Sequence, residues 1–359
     1  MSVRIDGKSI SRFLAGSWRE AGSHAHFDRD ETRAIAPILL AGGAGPLAWW
    51  RLGGGELESE GPPVPEFHQA YRIWRLLLRE KEANASFAVA LLREKGIQAI
   101  VFKGAVAARL YPDLGLRPYG DVDLAVAPSD DALARKTIRG CVSEGISIDL
   151  HHRARTEAVS SGSLRQPDES FGELDDVPWD EVMNRSVILK LAAGDVRVPS
   201  PEHHLRLLCI HFMKHGGFRA LWLCDIAAAV ERAGPSFDWN IFLKGDAWRT
   251  RCALVALQLA GELLEARIDG TPAQTAPLLP AWVAPSVLRE WASPERWPGH
   301  RPLANSLFRT PWRIPVELVR RWPGPLESTV NQGTEFEAFP PLAQIGEAAW
   351  KVRALVSKL

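Results

Sequence analysis

Apolar side chains recur every three or four residues in the N-terminal third of the chain, which is the spacing of one helix face. Residues 66–95 carry this pattern most clearly and predict one long amphipathic helix or two in succession, ended by Gly96. An acidic start and a glycine stop predict a further helix over residues 28–41. The Pro- and Gly-rich residues 60–65 lie between these helices and predict a loop or linker.

After Gly96 the pattern changes to short apolar runs. Residues 97–102 and 122–126 contain few polar side chains and predict buried strands, whereas residues 147–151 alternate polar and apolar as a half-exposed strand does. Residues 104–110 and 128–144 read as helices between these strands. The alternation of helix and strand describes a compact α/β unit.

The second half of the chain is predicted to be mainly helical. A hairpin around Gly194 precedes a helix that Ser200 caps, and helices continue to about residue 267 with breaks at Gly216 and Gly234. We expect a mobile loop over the polar residues 154–176, irregular structure over 268–303 and a final helix over 340–359. The predicted organisation is an N-terminal helical region and linker (1–65), an α/β core (66–199) and a mainly helical C-terminal domain (200–359).

Composition limits the classes of function. The 359 residues include 43 basic and 43 acidic side chains, and this balance argues against bulk electrostatic binding of DNA. The four cysteines form no CxxC pair, which is typical of a reducing compartment. The N-terminus lacks a long apolar segment, and no window approaches the roughly 18 apolar residues of a membrane span. We therefore expect a cytoplasmic protein without a membrane partner.

Three acidic residues on neighbouring predicted strands form the strongest candidate site. Asp121 and Asp123 are two residues apart, so their side chains point to the same face of a strand. Asp149 lies on the next predicted strand, beside His151. Neighbouring carboxylates repel each other unless a cation lies between them. Mg²⁺ prefers such carboxylates together with substrate phosphates, so the pattern predicts a metal site.

Lys103 and Gly104 come at the end of the first predicted strand, eighteen residues before Asp121. The first amides of a helix that starts at Gly104 would donate hydrogen bonds to an anion, and the helix dipole would favour it. Lys103 would add a positive charge. Taken alone, the two residues are also common at an ordinary strand-to-helix junction, and their position before Asp121 adds weight to the phosphate-binding interpretation.

The motifs resemble those of the uncharacterised nucleotidyltransferase family of the polymerase-β-like superfamily. The resemblance spans about residues 97–232 and rests on these segments: Lys103-Gly104, LYPD (110–113), LRPYGDVDL (116–124), IDLH (148–151), His211, KHG (214–216) and WLCDI (222–226). The Gly-Ser that usually precedes the acids in the superfamily is Lys103-Gly104 here. The resemblance implies an α/β (α+β) fold with a small mixed-sheet nucleotidyltransferase core, N-terminal helices and a C-terminal helical domain.

The resemblance also implies residue roles. Asp121, Asp123 and Asp149 would bind Mg²⁺, one ion or two, with Mn²⁺ able to substitute, and Asp149 would help to deprotonate the acceptor. Nucleotide binding would fall to the following residues: Lys103, Gly104, Arg117, Gly120, Lys214, His215 and Arg219. Arg117 and Gly120 would shape the turn that aims the acids. Lys214, His215 and Arg219 could equally well serve only to place positive charge at helix ends, where it interacts with the helix dipole.

Asp225 lies in an apolar helical run, so we expect a structural anchor whose partner is His211, Lys214 or Arg219. The implied activity is Mg²⁺-dependent transfer of a nucleoside monophosphate from a nucleoside triphosphate, with ATP as the expected donor, to an acceptor oxygen with release of pyrophosphate. The acceptor stays open between a small molecule, a peptide and an RNA. The alternatives are a non-catalytic nucleotide-binding module and nucleotide addition to RNA, as in toxin-type nucleotidyltransferases.

Overall fold

The computed structural model describes residues 6–20, 27–53, 64–143, 146–151, 176–293 and 322–356. Four N-terminal helices come first: α1 (Gly7–Leu14), α2 (Arg29–Ala41), α3 (Gly45–Arg51) and α4 (Pro65–Glu94). The predicted helix over 28–41 is confirmed, and the Asp28 side chain caps it by accepting from two backbone amides. The pattern over 66–95 is one continuous helix. Of the predicted linker, residues 60–63 lie outside the described part of the chain.

The three predicted strands of the α/β unit are confirmed, together with the hairpin. The strands are β1 (Ala99–Phe102), β2 (Val122–Val126), β3 (Ile148–His151), β4 (Val187–Leu191) and β5 (Gly194–Val198). They form one sheet in the order β3-β2-β1-β5-β4. β1 pairs antiparallel with β2, whereas β2 pairs parallel with β3 and β1 pairs parallel with β5. The sheet is therefore mixed, as expected.

Helices cover both faces of this sheet. Three further helices contribute: α5 (Gly104–Ala107), α6 (Asp131–Ser143) and α7 (Trp179–Arg185). Alternate side chains of β2, including Val122 and Leu124, join α4 and α6 in one apolar cluster. Ala125 packs on the opposite face with Phe102 of β1 and Leu207. Because side chains alternate along a strand, Asp123 lies on that second face.

The C-terminal half is helical, as predicted. Its elements are α8 (Pro201–Lys214), α9 (Ala220–Glu231), α10 (Trp239–Leu243), α11 (Ala247–Leu264), α12 (Val283–Trp291), α13 (Pro325–Gln332) and α14 (Pro340–Val356). Ser200 caps α8 through the amide of His203, which confirms the predicted start. The breaks near Gly216 and Gly234 are present as well.

Residues 268–303 are not irregular throughout, so that prediction is wrong over α12. This helix buries Val283, Val287 and Trp291, which lie on one face at four-residue steps. Pro285 is tolerated because it lies in the first turn, where backbone amides have no partner within the helix. Residues 294–303, and the predicted mobile loop apart from Asp176, lie outside the described residues.

One large apolar core joins the two ends of the chain. Ile10 and Phe13 of α1 belong to the same buried cluster as Cys224 of α9, Val255 of α11 and Trp291 of α12. The helix α4 connects this core to the sheet, because its N-terminal Phe67 belongs to the large core and its later turns to the cluster on the sheet. No helix in the described ranges is long and apolar enough to cross a membrane.

Candidate active site

Two parallel strands bring three potential metal ligands together. The register of β2 and β3 pairs Asp123 with Asp149, and His151 follows Asp149 on the same face. Among the described residues, Asp123, Asp149 and His151 each offer a ligand atom, and these atoms all lie within 4.8 Å of one another. His151 Nε2 is 3.1 Å from Asp123 Oδ1 and 3.1 Å from Asp149 Oδ2. We call these three residues the acidic corner.

The chemistry of the acidic corner fits a divalent cation. Carboxylate oxygens suit Mg²⁺ and Mn²⁺, and an imidazole nitrogen adds affinity for transition metals. The Asp123 side chain is only 9% exposed, whereas that of Asp149 is 54% exposed. The corner therefore has one ligand fixed in the protein and one open to solvent, where a substrate could approach.

Lys103 approaches the acidic corner from the end of β1. Its Nζ lies 3.2 Å from Asp123 Oδ1 and 3.3 Å from His151 Nε2. The residue is buried, and its backbone has φ 53° and ψ −117°. A positive φ is unfavourable for a residue with a Cβ, and such strain is concentrated at functional sites. The structure thus places the ammonium group of Lys103 against the carboxylate.

His204 supports this strained residue from α8, and the sequence interpretation did not include it. The histidine is buried and forms a hydrogen bond with the backbone of Lys103. The pKa of His204 is lowered to about 4, chiefly by burial and in part by the charge of Arg117, while that hydrogen bond opposes the shift. His204 is therefore neutral near pH 7. Its place in the first turn of α8, about a hundred residues after Lys103, gave no sign of the contact.

Asp121 lies just before β2 and is half-buried. It is not a member of the converging group found among the described residues. Its charge instead acts on Arg219 at the start of α9. Burial lowers the pKa of Arg219 and so does the charge of Arg117, while Asp121 and Asp225 raise it. The structure thus associates Asp121 with a cation from the helical half.

Arg117 is bound to Asp225 inside the protein, which corrects the partners predicted for that acid. Arg117 Nη2 donates to Asp225 Oδ2 at 2.6 Å, its Nε lies 3.1 Å from both carboxylate oxygens, and the Tyr111 hydroxyl donates to Oδ1 at 2.8 Å. Burial alone would lower the pKa of Arg117, but the charge and hydrogen bonds of Asp225 raise it overall. The expected partners lie near Asp225 in sequence, whereas Arg117 is 108 residues away.

The two predicted glycines have different surroundings. A Cβ on Gly104 would lie 2.4 Å from the Cβ of Tyr119, so close packing requires glycine at this position. A Cβ on Gly120 would meet nothing within 4 Å in the described structure. The Gly120 carbonyl accepts a hydrogen bond of 2.6 Å from Lys81 Nζ. Gly104 therefore fixes the helix α5 against the turn that leads to the acids.

The remaining predicted residues lie where α8 meets α9. Lys214 is in the last turn of α8 and His215 caps that helix. The His215 ring packs on Trp222 with a centroid distance of 5.5 Å, and the Arg219 guanidinium lies 5.3 Å from the same indole ring. The charge of Arg219 is coupled to that of Asp121. A position for Lys214 or His215 on a nucleotide stays a prediction.

The comparisons with known proteins agree with the class that this sheet and this corner indicate, a nucleotidyltransferase. The family model described as "Uncharacterised nucleotidyltransferase" matches residues 43–140 and 135–265. Because these ranges span more than half of the chain, the protein belongs to the uncharacterised nucleotidyltransferase family. This confirms the resemblance seen in the sequence, and the mixed α/β architecture is consistent with the nucleotidyltransferase fold.

A solved structure is similar over part of the chain. It is that of an antigenic nucleotidyltransferase-like protein from Paracoccidioides brasiliensis, with 16% sequence identity and a TM-score of 0.34. The match covers 52% of this chain and 93% of that one. No curated protein sequence matches the chain.

Proposed function

We propose that this protein is a divalent-metal-dependent nucleotidyltransferase that uses ATP. An acceptor oxygen attacks the α-phosphorus, the bond to the bridging oxygen breaks, pyrophosphate leaves and AMP stays on the acceptor. The observation that carries the proposal is the convergence of Asp123, Asp149 and His151 beside the buried Lys103. Membership of a nucleotidyltransferase family supports it.

The residues of the acidic corner differ in their exposure to solvent, and we assign their roles accordingly. Asp123 and His151 hold the metal, Mg²⁺ or Mn²⁺, which when bound neutralises phosphate charge and lowers the pKa of an attacking hydroxyl. Asp149 is the exposed member, so it can also accept the proton of the acceptor. Asp121 is a further metal ligand in this proposal, as the sequence motif predicts.

Cations from two sides of the corner face the phosphates in this proposal. Lys103 comes from the sheet and Arg219 from the start of α9. Arg219 Nε is buried and has no hydrogen-bond partner in the described part of the protein, so it retains a donor for a phosphate oxygen. Stabilising the charge that develops on the leaving pyrophosphate is the main task of protein groups in such transfers.

The test is release of pyrophosphate from ATP in the presence of cell extract as the source of acceptors. We expect activity with Mg²⁺ or Mn²⁺, loss of activity on chelation and recovery when the metal is restored. Asp123→Asn should abolish transfer, and circular dichroism of the variant establishes that it is folded under the assay conditions. Asp195→Asn is the matched control, because this acid lies on β5 of the same sheet and is exposed. Full activity of Asp123→Asn would refute the proposal.

Two other outcomes identify the alternatives. Tight binding of ATP by calorimetry without turnover would indicate a non-catalytic nucleotide-binding module. Transfer of label from [α-³²P]ATP to RNA in the extract would identify nucleotide addition to RNA. The label itself would thus identify the acceptor class.

We also propose a cytoplasmic location. Cys209, Cys224 and Cys252 are buried free thiols, and burial raises the pKa of each. Unpaired buried cysteines are typical of reducing compartments. Fractionation of cells that produce the native protein would test this location.

A further inference from the structure

The ammonium group of Lys103 occupies the place of a cation among metal ligands. It lies 3.2 Å from Asp123 Oδ1 and 3.3 Å from His151 Nε2, and both of these atoms belong to the acidic corner. The Lys103 side chain is 10% exposed and the Asp123 side chain 9%, so the pair is almost entirely withdrawn from water. A buried carboxylate needs a positive partner, and Lys103 provides one.

The placement of Lys103 is built into the fold. Its backbone has a positive φ of 53°, which only firm surroundings can maintain. Those surroundings include the hydrogen bond with His204 and the packing of the next residue, Gly104, on Tyr119. The Lys103 ammonium also lies 5.2 Å from the centre of the Phe102 ring. These contacts hold the backbone of Lys103 in place, so that its side chain starts beside the corner.

We propose that Lys103 is the resident counter-ion of the acidic corner, and that a divalent metal ion enters the corner by exchange with the Lys103 ammonium group. The two cations compete for Asp123 Oδ1 and His151 Nε2, so they cannot hold both atoms at once. The exchange keeps the carboxylate neutralised in both states. The next step rests on the proposed function: the released ammonium group binds the triphosphate that arrives with the metal.

The proposal predicts that removal of the lysine strengthens metal binding. A metal ion must break charged hydrogen bonds to displace Lys103, and Lys103→Met removes that cost while keeping the apolar stem. We expect Mn²⁺ to bind the nucleotide-free variant about tenfold or more tightly than the wild type. Isothermal titration calorimetry and loss of the free Mn²⁺ signal in electron paramagnetic resonance both measure this. A lysine that merely orients the ligands gives the opposite sign, because its loss weakens binding.

The matched control is Lys190→Met. Lys190 is an exposed lysine on β4 of the same sheet, so its removal reports the general effect of one charge. We expect a change in Mn²⁺ affinity of less than about twofold, because exposed charges are screened. Equal tightening in both variants would overturn the proposal, as would unchanged or weaker binding in Lys103→Met.

A second measurement uses the wild-type protein and does not depend on the variant folding. Acylation of lysines, followed by mass spectrometry, compares Lys103 with Lys190 at rising Mg²⁺ concentration without nucleotide. We expect Lys103 labelling to accelerate several-fold as metal binds, while Lys190 labelling stays constant. A Lys103 rate that does not respond to bound metal overturns the proposal. Neither measurement involves turnover, so each can fail while the transferase activity is confirmed, or succeed while it is not.

Discussion

The ion pair between Arg117 and Asp225 gives a sharp test of how the two halves of the protein are joined. Arg117 belongs to the turn that leads into the acids of β2, and Asp225 to the helix α9. Their side chains are 7% and 0% exposed. Replacing one partner leaves the other as an uncompensated buried charge. The perturbations are Arg117→Met and Asp225→Asn.

The expected loss in the free energy of unfolding follows from the contacts of the pair. Arg117 Nε and Nη2 both donate to the carboxylate, and Arg117 Nη1 donates to the Pro118 carbonyl at 2.8 Å. Breaking a buried pair of this kind costs about 3–5 kcal/mol. The Tyr111 hydroxyl still donates to residue 225 in either variant, so we expect the lower half of that range for Asp225→Asn, which keeps an acceptor oxygen.

Urea unfolding followed by circular dichroism measures these losses. The double variant Arg117→Met/Asp225→Asn completes a thermodynamic cycle, and we expect it to be more stable than the sum of the single losses predicts, because it leaves neither charge alone. Single losses below about 1 kcal/mol would refute the structural role. If Arg117→Met instead raises the KM for ATP without loss of stability, Arg117 is a nucleotide ligand, as the resemblance implied.

Further predictions concern packing, protonation and capping. Gly104→Ala should lower both stability and activity, because its methyl group would overlap Tyr119, whereas Gly120→Ala should be nearly neutral in the same thermal melts. Because the pKa of His204 is lower in the folded than in the unfolded state, the unfolded state binds the proton first as the pH falls. The free energy of unfolding should therefore be independent of this group above about pH 6.5 and decrease towards pH 4, by up to about 3 kcal/mol. His204→Gln should remove this decrease in urea melts at different pH. Ser200→Ala should cost about 1 kcal/mol through loss of the α8 cap, measured by urea unfolding.

The helices and strands that were predicted correctly are those with a clear local sequence pattern. The strands β1 and β2 are short apolar runs with clear boundaries, and the hairpin of β4 and β5 turns where glycine follows an apolar run. The helix α12 was missed because the prolines and tryptophans of residues 268–303 suggested an irregular segment. Its apolar residues nevertheless recur at four-residue steps, and burial of Trp291 in the large core favours the helix.

The candidate site shows the limit of such local inference. Asp123 and Asp149 could be paired in advance because both lie on predicted neighbouring strands. His151 could have been added, since it follows Asp149 at the two-residue step that returns a side chain to the same face. The contacts of Arg117 with Asp225 and of His204 with Lys103 join segments about a hundred residues apart. Such contacts depend on how helices pack on the sheet, which local patterns in a single sequence do not reveal.

The charges around the corner also indicate an order of binding. Arg117 and Asp225 neutralise each other, which leaves the carboxylates of Asp121, Asp123 and Asp149 facing the cations of Lys103 and Arg219. With the imidazole set aside, the corner carries one excess negative charge and repels a free triphosphate. A divalent ion reverses the sign, so the corner then attracts the phosphates. Metal binding should therefore precede nucleotide binding or accompany it, because the protein alone offers too little positive charge to hold the triphosphate.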